Sequence, residues 1–127
     1  MPNLASHYYE SFAKTAKILF DKLNKQEIQE DERQQHITRA ICNRIYYALY
    51  HKAIHDNNYK LKSRGTHSDI YRRLNGKLQP EFQDFLDYRE WADYNSNPQK
   101  MQLTRIMEDF RALLNKKLVF AKSRKRN

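Results

Sequence analysis

The sequence predicts an all-α protein, a single domain folded as a bundle of four or five helices. Three observations carry that expectation. Only two glycines and three prolines occur in 127 residues, too few for a chain built from many tight turns. Apolar residues recur at steps of three and four along most of the chain, which is the helical period. No segment alternates apolar and polar residues as a half-buried strand does. A chain of this length makes one domain with a real core, which helices bury by packing on one another. The helical domain is placed at 1–121, with a short basic tail at 122–127.

The first helix is expected from Ala5 to about Asn24. Ala5, Tyr9, Phe12, Ala16, Leu19 and Leu23 trace one stripe, with Lys14, Lys17 and Asp21 off it. The polar stretch 26–35 is either a connection or the acidic opening of the next helix, where negative charge suits the N-terminal dipole. The second helix should run from about Asp31 to Asp56, and Asp56-Asn57-Asn58 is a plausible end. Its segment from Ile45 to Leu49 is apolar nearly all round, the mark of a central helix packed on several sides. A basic loop follows from Tyr59 to Gly65. Thr66 or Ser68 caps a short third helix through Leu74, and Asn75-Gly76 stops it. Pro80 suits the first turn of a fourth helix, which Asn95-Ser96-Asn97-Pro98 breaks. The final helix is expected from about Gln99 to Ala121 on the spacing of Leu103, Met107, Phe110, Leu114, Leu118 and Ala121.

The chemistry concentrates on the second helix, in Asn43-Arg44-Ile45-Tyr46-Tyr47-Ala48-Leu49-Tyr50-His51. Arg44 and His51 are seven residues apart, so they differ by about 20° around the axis and roughly 10 Å along it. Ile37, Ala40, Ile41, Tyr47 and Ala48 share their face. Two cationisable groups on an apolar face are costly to bury without a purpose. Tyr46, Tyr47 and Tyr50 have faces for base stacking, although core packing explains at least two of them.

The net charge of +9 is uneven. Lys116, Lys117, Lys122, Arg124, Lys125 and Arg126 supply six of those charges within the last twelve residues. Lys60, Lys62, Arg64, Arg72, Arg73 and Lys77 form a second cluster against a single acid, Asp69. Such clusters favour a polyanion, RNA above all; the plainer account is a solvated face and a solubilising tail. The single Cys42 excludes an internal disulfide, and His7, His36 and His55 lack the neighbours of a metal site. No metal or cofactor is expected. No apolar run reaches membrane-spanning length and no signal-peptide layout opens the chain, so a cytoplasmic protein is expected, with no membrane partner.

The Asn43–His51 stretch resembles the signature of the HEPN superfamily, in which an arginine and a histidine four to six residues apart lie on one helix of an α-bundle. Arg64-Gly65-Thr66-His67-Ser68 is similar to the Thr-His segment that opens the next helix in one branch. Tyr88-Arg89-Glu90-Trp91-Ala92-Asp93-Tyr94 is similar to that branch's Arg, two residues, Ala-Asp-Tyr element. The three occur in the expected order and, with the helix layout, span nearly the whole chain. The resemblance implies a homodimer whose Arg44 and His51 faces converge in a cleft. It further implies a metal-independent endoribonuclease of toxin–antitoxin or phage-defence type. An alternative within the same resemblance is a non-catalytic binding module that partners a minimal nucleotidyltransferase or another defence protein. Six residues separate Arg44 from His51 here, not four, and Lys52-Ala53 follows where some toxins carry a tyrosine two places after the histidine.

Residue chemistry fits the first of these. RNA brings its own nucleophile, the 2′-hydroxyl, so metal-free cleavage needs a proton shuttle and a cation for the charged transition state. His51 suits the shuttle and Arg44 the cation. Asn43, Tyr47, His67 and Asp93 are supporting candidates; Lys60, Lys62, Arg64, Arg72 and Arg73 are candidates for holding the RNA backbone. The competing account pairs Arg44 with Asp93 and leaves His51 a satisfied interior histidine. Arg89 and Asp93, four apart, are expected to form a local ion pair.

Overall fold

The computed structural model describes residues 4–24, 31–59, 67–97 and 102–121, with side chains from Tyr9 to Leu23 in the first segment and from Gln35 and Asp69 onward in the next two. Among them run five helices: α1 (Leu4–Asn24), α2 (Asp31–Asp56), α3 (His67–Arg73), α4 (Gln79–Tyr94) and α5 (Leu103–Leu114). The all-α bundle expected from the helical period is thus the architecture observed. No helix is long and apolar enough to cross a membrane among the described residues.

Helix α2 is the axis of the bundle. Ile41, Ile45, Tyr46, Ala48, Leu49 and Ala53 are all fully buried and spread over about 160° of its circumference, which the buried Tyr50 and Ile54 widen to about 240°. Each large side chain taken out of water contributes about 2 kcal/mol, so this helix is held by its surroundings far more than by its own propensity. It ends where expected. Asn57 Nδ2 donates to the Ala53 carbonyl at 2.7 Å, and Asn58 takes a left-handed φ of 47°, which asparagine tolerates better than most residues.

Helix α1 lays Ala16 and Phe20 against α2, with Phe12, Leu19 and Leu23 at the edge of that contact. Phe20 is more deeply buried than the stripe through Leu19 implies. Helix α4 opens with Pro80 in its first turn and buries Phe82, Phe85 and Trp91. Helix α5 closes the core with Ile106, Met107, Phe110 and Leu113.

The last helix is shorter than its periodicity predicts. It stops at Leu114, and residues 115–121 cross the bundle without helical structure. Side chains at the end of α2 offer this segment better partners than another helical turn would. Asn57 donates to the Leu118 carbonyl at 2.6 Å and accepts the Phe120 amide at 2.8 Å, as a neighbouring strand would. Asp56 accepts the Leu118 amide at 2.9 Å. Lys52, only 8% exposed, pairs with Asp56 and donates to the Lys116 carbonyl. On the other side Leu74 bridges to Phe120, and the Ala121 amide reaches the Arg73 carbonyl at 2.7 Å. Leu118 is fully buried, so its apolar spacing marks a core position in extended chain.

Candidate functional site

Arg44, Tyr47 and His51 lie on α2 between α1 and α4. The α1 side is supplied by Phe12. The His51 imidazole stacks on the Phe12 ring at a centroid distance of 5.5 Å and an interplanar angle of 4°. The Arg44 guanidinium carbon is 5.9 Å from the centre of the same ring. Phe12 therefore bridges the two groups that the sequence pairs. Its role was not legible beforehand, because its spacing reads only as core.

His51 is half-buried, with Tyr50 edge-on at 5.2 Å. Burial lowers its pKa below the ordinary 6.5, since the charged imidazolium loses hydration. At neutral pH the ring is in the form that accepts a proton.

Asn43 joins Arg44 to α4. Its Oδ1 accepts from Arg44 Nη1 at 2.6 Å, while its Nδ2 lies 3.2 and 3.4 Å from the two Asp93 oxygens. Only this orientation of the amide satisfies both neighbours, because a guanidinium can only donate and a carboxylate can only accept. The direct Arg44–Asp93 pair entertained from sequence is not what forms. Asp93 pairs with Arg89, Nε to Oδ2 at 3.1 Å, as the four-residue spacing predicts. Among the described residues Arg44 is thus met by a neutral amide and a ring, and its charge is not cancelled by a carboxylate.

Arg89 organises the α4 side. Its Nη2 approaches the hydroxyls of Tyr47 (3.5 Å) and Tyr94 (3.4 Å). Its guanidinium carbon lies 5.9 Å from the Tyr46 and Tyr47 ring centres and 5.3 Å from that of Tyr94. Such ring faces attract a cation. Burial works against its charge, but Tyr47, Tyr94 and Asp93 outweigh that, and its pKa is raised.

The end of α4 is itself fixed by Arg39, a residue with no obvious sequence signal. Arg39 Nη1 donates to the carbonyls of Trp91 (3.0 Å), Ala92 (3.2 Å) and Asn95 (2.5 Å), and Nη2 to that of Asn97 (3.2 Å). Its guanidinium carbon lies over the Trp91 ring, 4.3 Å from the ring centre. Helix C-termini leave carbonyls without intrahelical partners, and a stacked guanidinium fork meets several at once. This clamp sets where Asp93 and Tyr94 stand.

The remaining candidates divide by place. Tyr46 and Tyr50 are buried, as expected for at least two of the three tyrosines; Tyr47 is half-buried. Arg72 and Arg73 are exposed at the end of α3, near the C-terminal end of α2. Arg73 pairs with Asp69 at 3.2 Å and lies 4.9 Å from the Tyr59 ring centre. At 1.5 Å of rise per residue, the end of α2 is about 18 Å along the axis from Arg44 and about 8 Å from His51. Lys60, Lys62, Arg64 and the tail 122–127 lie outside the described residues, and His67 is described only as the first residue of α3. Among the described residues no three His, Cys, Asp or Glu side chains come together as a metal-binding group. Compared with models of protein families, with curated proteins and with solved structures, the chain matches none.

Proposed function

We propose that the chain is a HEPN-type, metal-independent endoribonuclease with a toxin or phage-defence role, acting as a homodimer. The observation that carries this reading is the state of the two key groups. Arg44 meets a neutral amide, so its charge is available to an anion, and His51 is biased toward its neutral, proton-accepting form.

In the proposed reaction Arg44 holds a phosphodiester of single-stranded RNA or tRNA through its planar fork. His51 removes the proton from the neighbouring 2′-hydroxyl. The 2′-oxygen bonds to phosphorus, the bond from phosphorus to the 5′-oxygen breaks, and the proton passes to that departing oxygen. A 2′,3′-cyclic phosphate and a 5′-hydroxyl result. Arg44 offsets the negative charge that grows on the phosphoryl oxygens. Within one protomer Arg44 and His51 both face Phe12; in the proposed homodimer they meet one phosphate in a cleft between the two protomers.

The same ring favours a second reading. With Phe12 packed against both groups, Arg44 and His51 also suit a docking face for a minimal nucleotidyltransferase or another defence protein, with no catalysis. The deciding experiment incubates single-stranded RNA and tRNA with the purified protein in EDTA. Cyclic-phosphate products that vanish in both Arg44→Ala and His51→Ala variants of unchanged helicity establish the nuclease. Intact RNA with a folded wild-type dimer rejects it and favours the docking module.

A further inference from the structure

Tyr94 is unlike the other tyrosines around Arg44. It is 74% exposed, yet it stands at the helix end that Arg39 clamps. Arg89 approaches it from one side, 5.3 Å from ring centre to guanidinium carbon and 3.4 Å from hydroxyl to Nη2. A flat aromatic surface presented to solvent from a fixed base meets the requirement for stacking a nucleobase, at little cost in conformational entropy.

The ring borders an open depression of about 550 Å³, lined also by Asp87, Glu90, Trp91, Asn95 and Ser96. A depression this open covers one face and one edge of a base and does not enclose it. Asp87, Glu90 and Tyr94 are spaced by three and four residues, so they share one face of α4 with Glu90 a single turn before the ring. Carboxylates repel a phosphate, so this depression does not hold the RNA backbone. They accept hydrogen bonds from a base edge that carries donors. Guanine offers two adjacent donors on its Watson–Crick edge, matching the two oxygens of one carboxylate. Uracil presents a single N–H between two carbonyl oxygens and is disfavoured there. Through Asp93 and Asn43 the same end of α4 is bonded to Arg44.

We propose that Tyr94 and Glu90 form a nucleobase subsite selective for guanine in single-stranded RNA, on the helix whose Asp93 is joined to Arg44 through Asn43. The subsite deepens the ribonuclease reading and rests on it for its biological substrate. It is tested without turnover, because Trp91 is the only tryptophan in the chain and lines the depression. Titration of the full chain with GMP, AMP, CMP and UMP is followed by Trp91 fluorescence. GMP is expected to bind about tenfold or more tighter than UMP. Tyr94→Ala should weaken GMP binding by about five- to 150-fold, the span of one stacking contact. Tyr94→Phe should retain that binding, and Glu90→Gln should narrow the preference over UMP. Equal affinity for the four nucleotides, or unchanged GMP binding in Tyr94→Ala, overturns the subsite. Selective GMP binding by a protein that leaves RNA intact keeps the subsite and removes the nuclease. RNA cleavage indifferent to sequence and to Tyr94→Ala does the reverse.

Discussion

Asn43 accepts a hydrogen bond from Arg44 at 2.6 Å and, with the other end of the same amide, reaches the carboxylate of Asp93. A neutral group thus stands between a cation and an anion that would otherwise pair directly. Arg44 is oriented without being neutralised, and Asp93 is left to Arg89.

Removing that spacer should let Asp93 compete for the guanidinium. Asn43→Ala is expected to lower RNA cleavage by about tenfold, the scale of one lost hydrogen bond to a charged group. Arg44→Ala should cost a hundredfold or more, on the order of one electrostatic donor in a transition state. Single-turnover rates on a labelled RNA, measured for both variants, decide whether Asn43 acts through Arg44. A full rate in Asn43→Ala refutes that role.

His51 should titrate below 6.5 in the folded protein, a value read directly from its imidazole NMR signals. The unfolded chain then binds this proton more readily than the folded one, so stability increases with pH in that range. The contribution from His51 is complete above about pH 6.5 and is lost as pH falls through the lower folded value. His51→Gln should flatten this part of the stability–pH curve. An unchanged curve excludes burial of His51 as its cause.

Phe12 is the desolvating wall of that histidine. Phe12→Ala should bring the His51 pKa back toward 6.5 and destabilise the fold by about 2 kcal/mol, less than the cost for a fully buried phenylalanine. Denaturant melts and the same NMR titration report the two effects separately. A His51 pKa unmoved by this change would assign its desolvation to Tyr47 and Tyr50 instead.

Asn57→Ala strips the partners from the Leu118 carbonyl and the Phe120 amide together. The expected loss is about 2–3 kcal/mol, two hydrogen bonds with their backbone groups left partly buried. Urea unfolding measures it. Asn57→Asp keeps the acceptor for Phe120 but not the donor for Leu118, and should recover only part of the loss.

Deleting residues 122–127 removes Lys122, Arg124, Lys125 and Arg126. If these reach the RNA backbone, the slope of log affinity against log salt should shrink in magnitude by up to about 3. Filter binding with His51→Ala protein, across a salt series, gives the slope. No change assigns the polyanion contacts to other lysines and arginines.

The helices were legible because their cause is local. Two glycines, a segment of α2 from Ile45 to Leu49 that is apolar nearly all round, and Pro80 at the head of α4 each leave a mark in the nearby sequence. The course of residues 115–121 was not, because it depends on Lys52, Asp56 and Asn57, some sixty positions away. Helical spacing of Leu114 and Leu118 could not register that competition. The same division runs through the site. Arg44 and His51 stand out as charges on an apolar helix, whereas Phe12 and Arg39 look ordinary until α1 and α4 are brought against α2. The ion pair of Arg89 with Asp93 was readable from spacing alone; the bridge from Asn43 to Asp93 joins two helices and was not.

The fastening of Leu118 and Phe120 onto Asn57 also sets a timetable for the newborn chain. Helices α1 and α2 can meet while the polypeptide is still growing, since their partners are close in sequence. The end of α2 stays unsealed until position 120 has been made, because Leu118 fills the core there and the side chain of Asn57 waits for its amide and carbonyl partners. A nascent chain stalled short of that point holds Lys52 and Asp56 at an open end of the bundle.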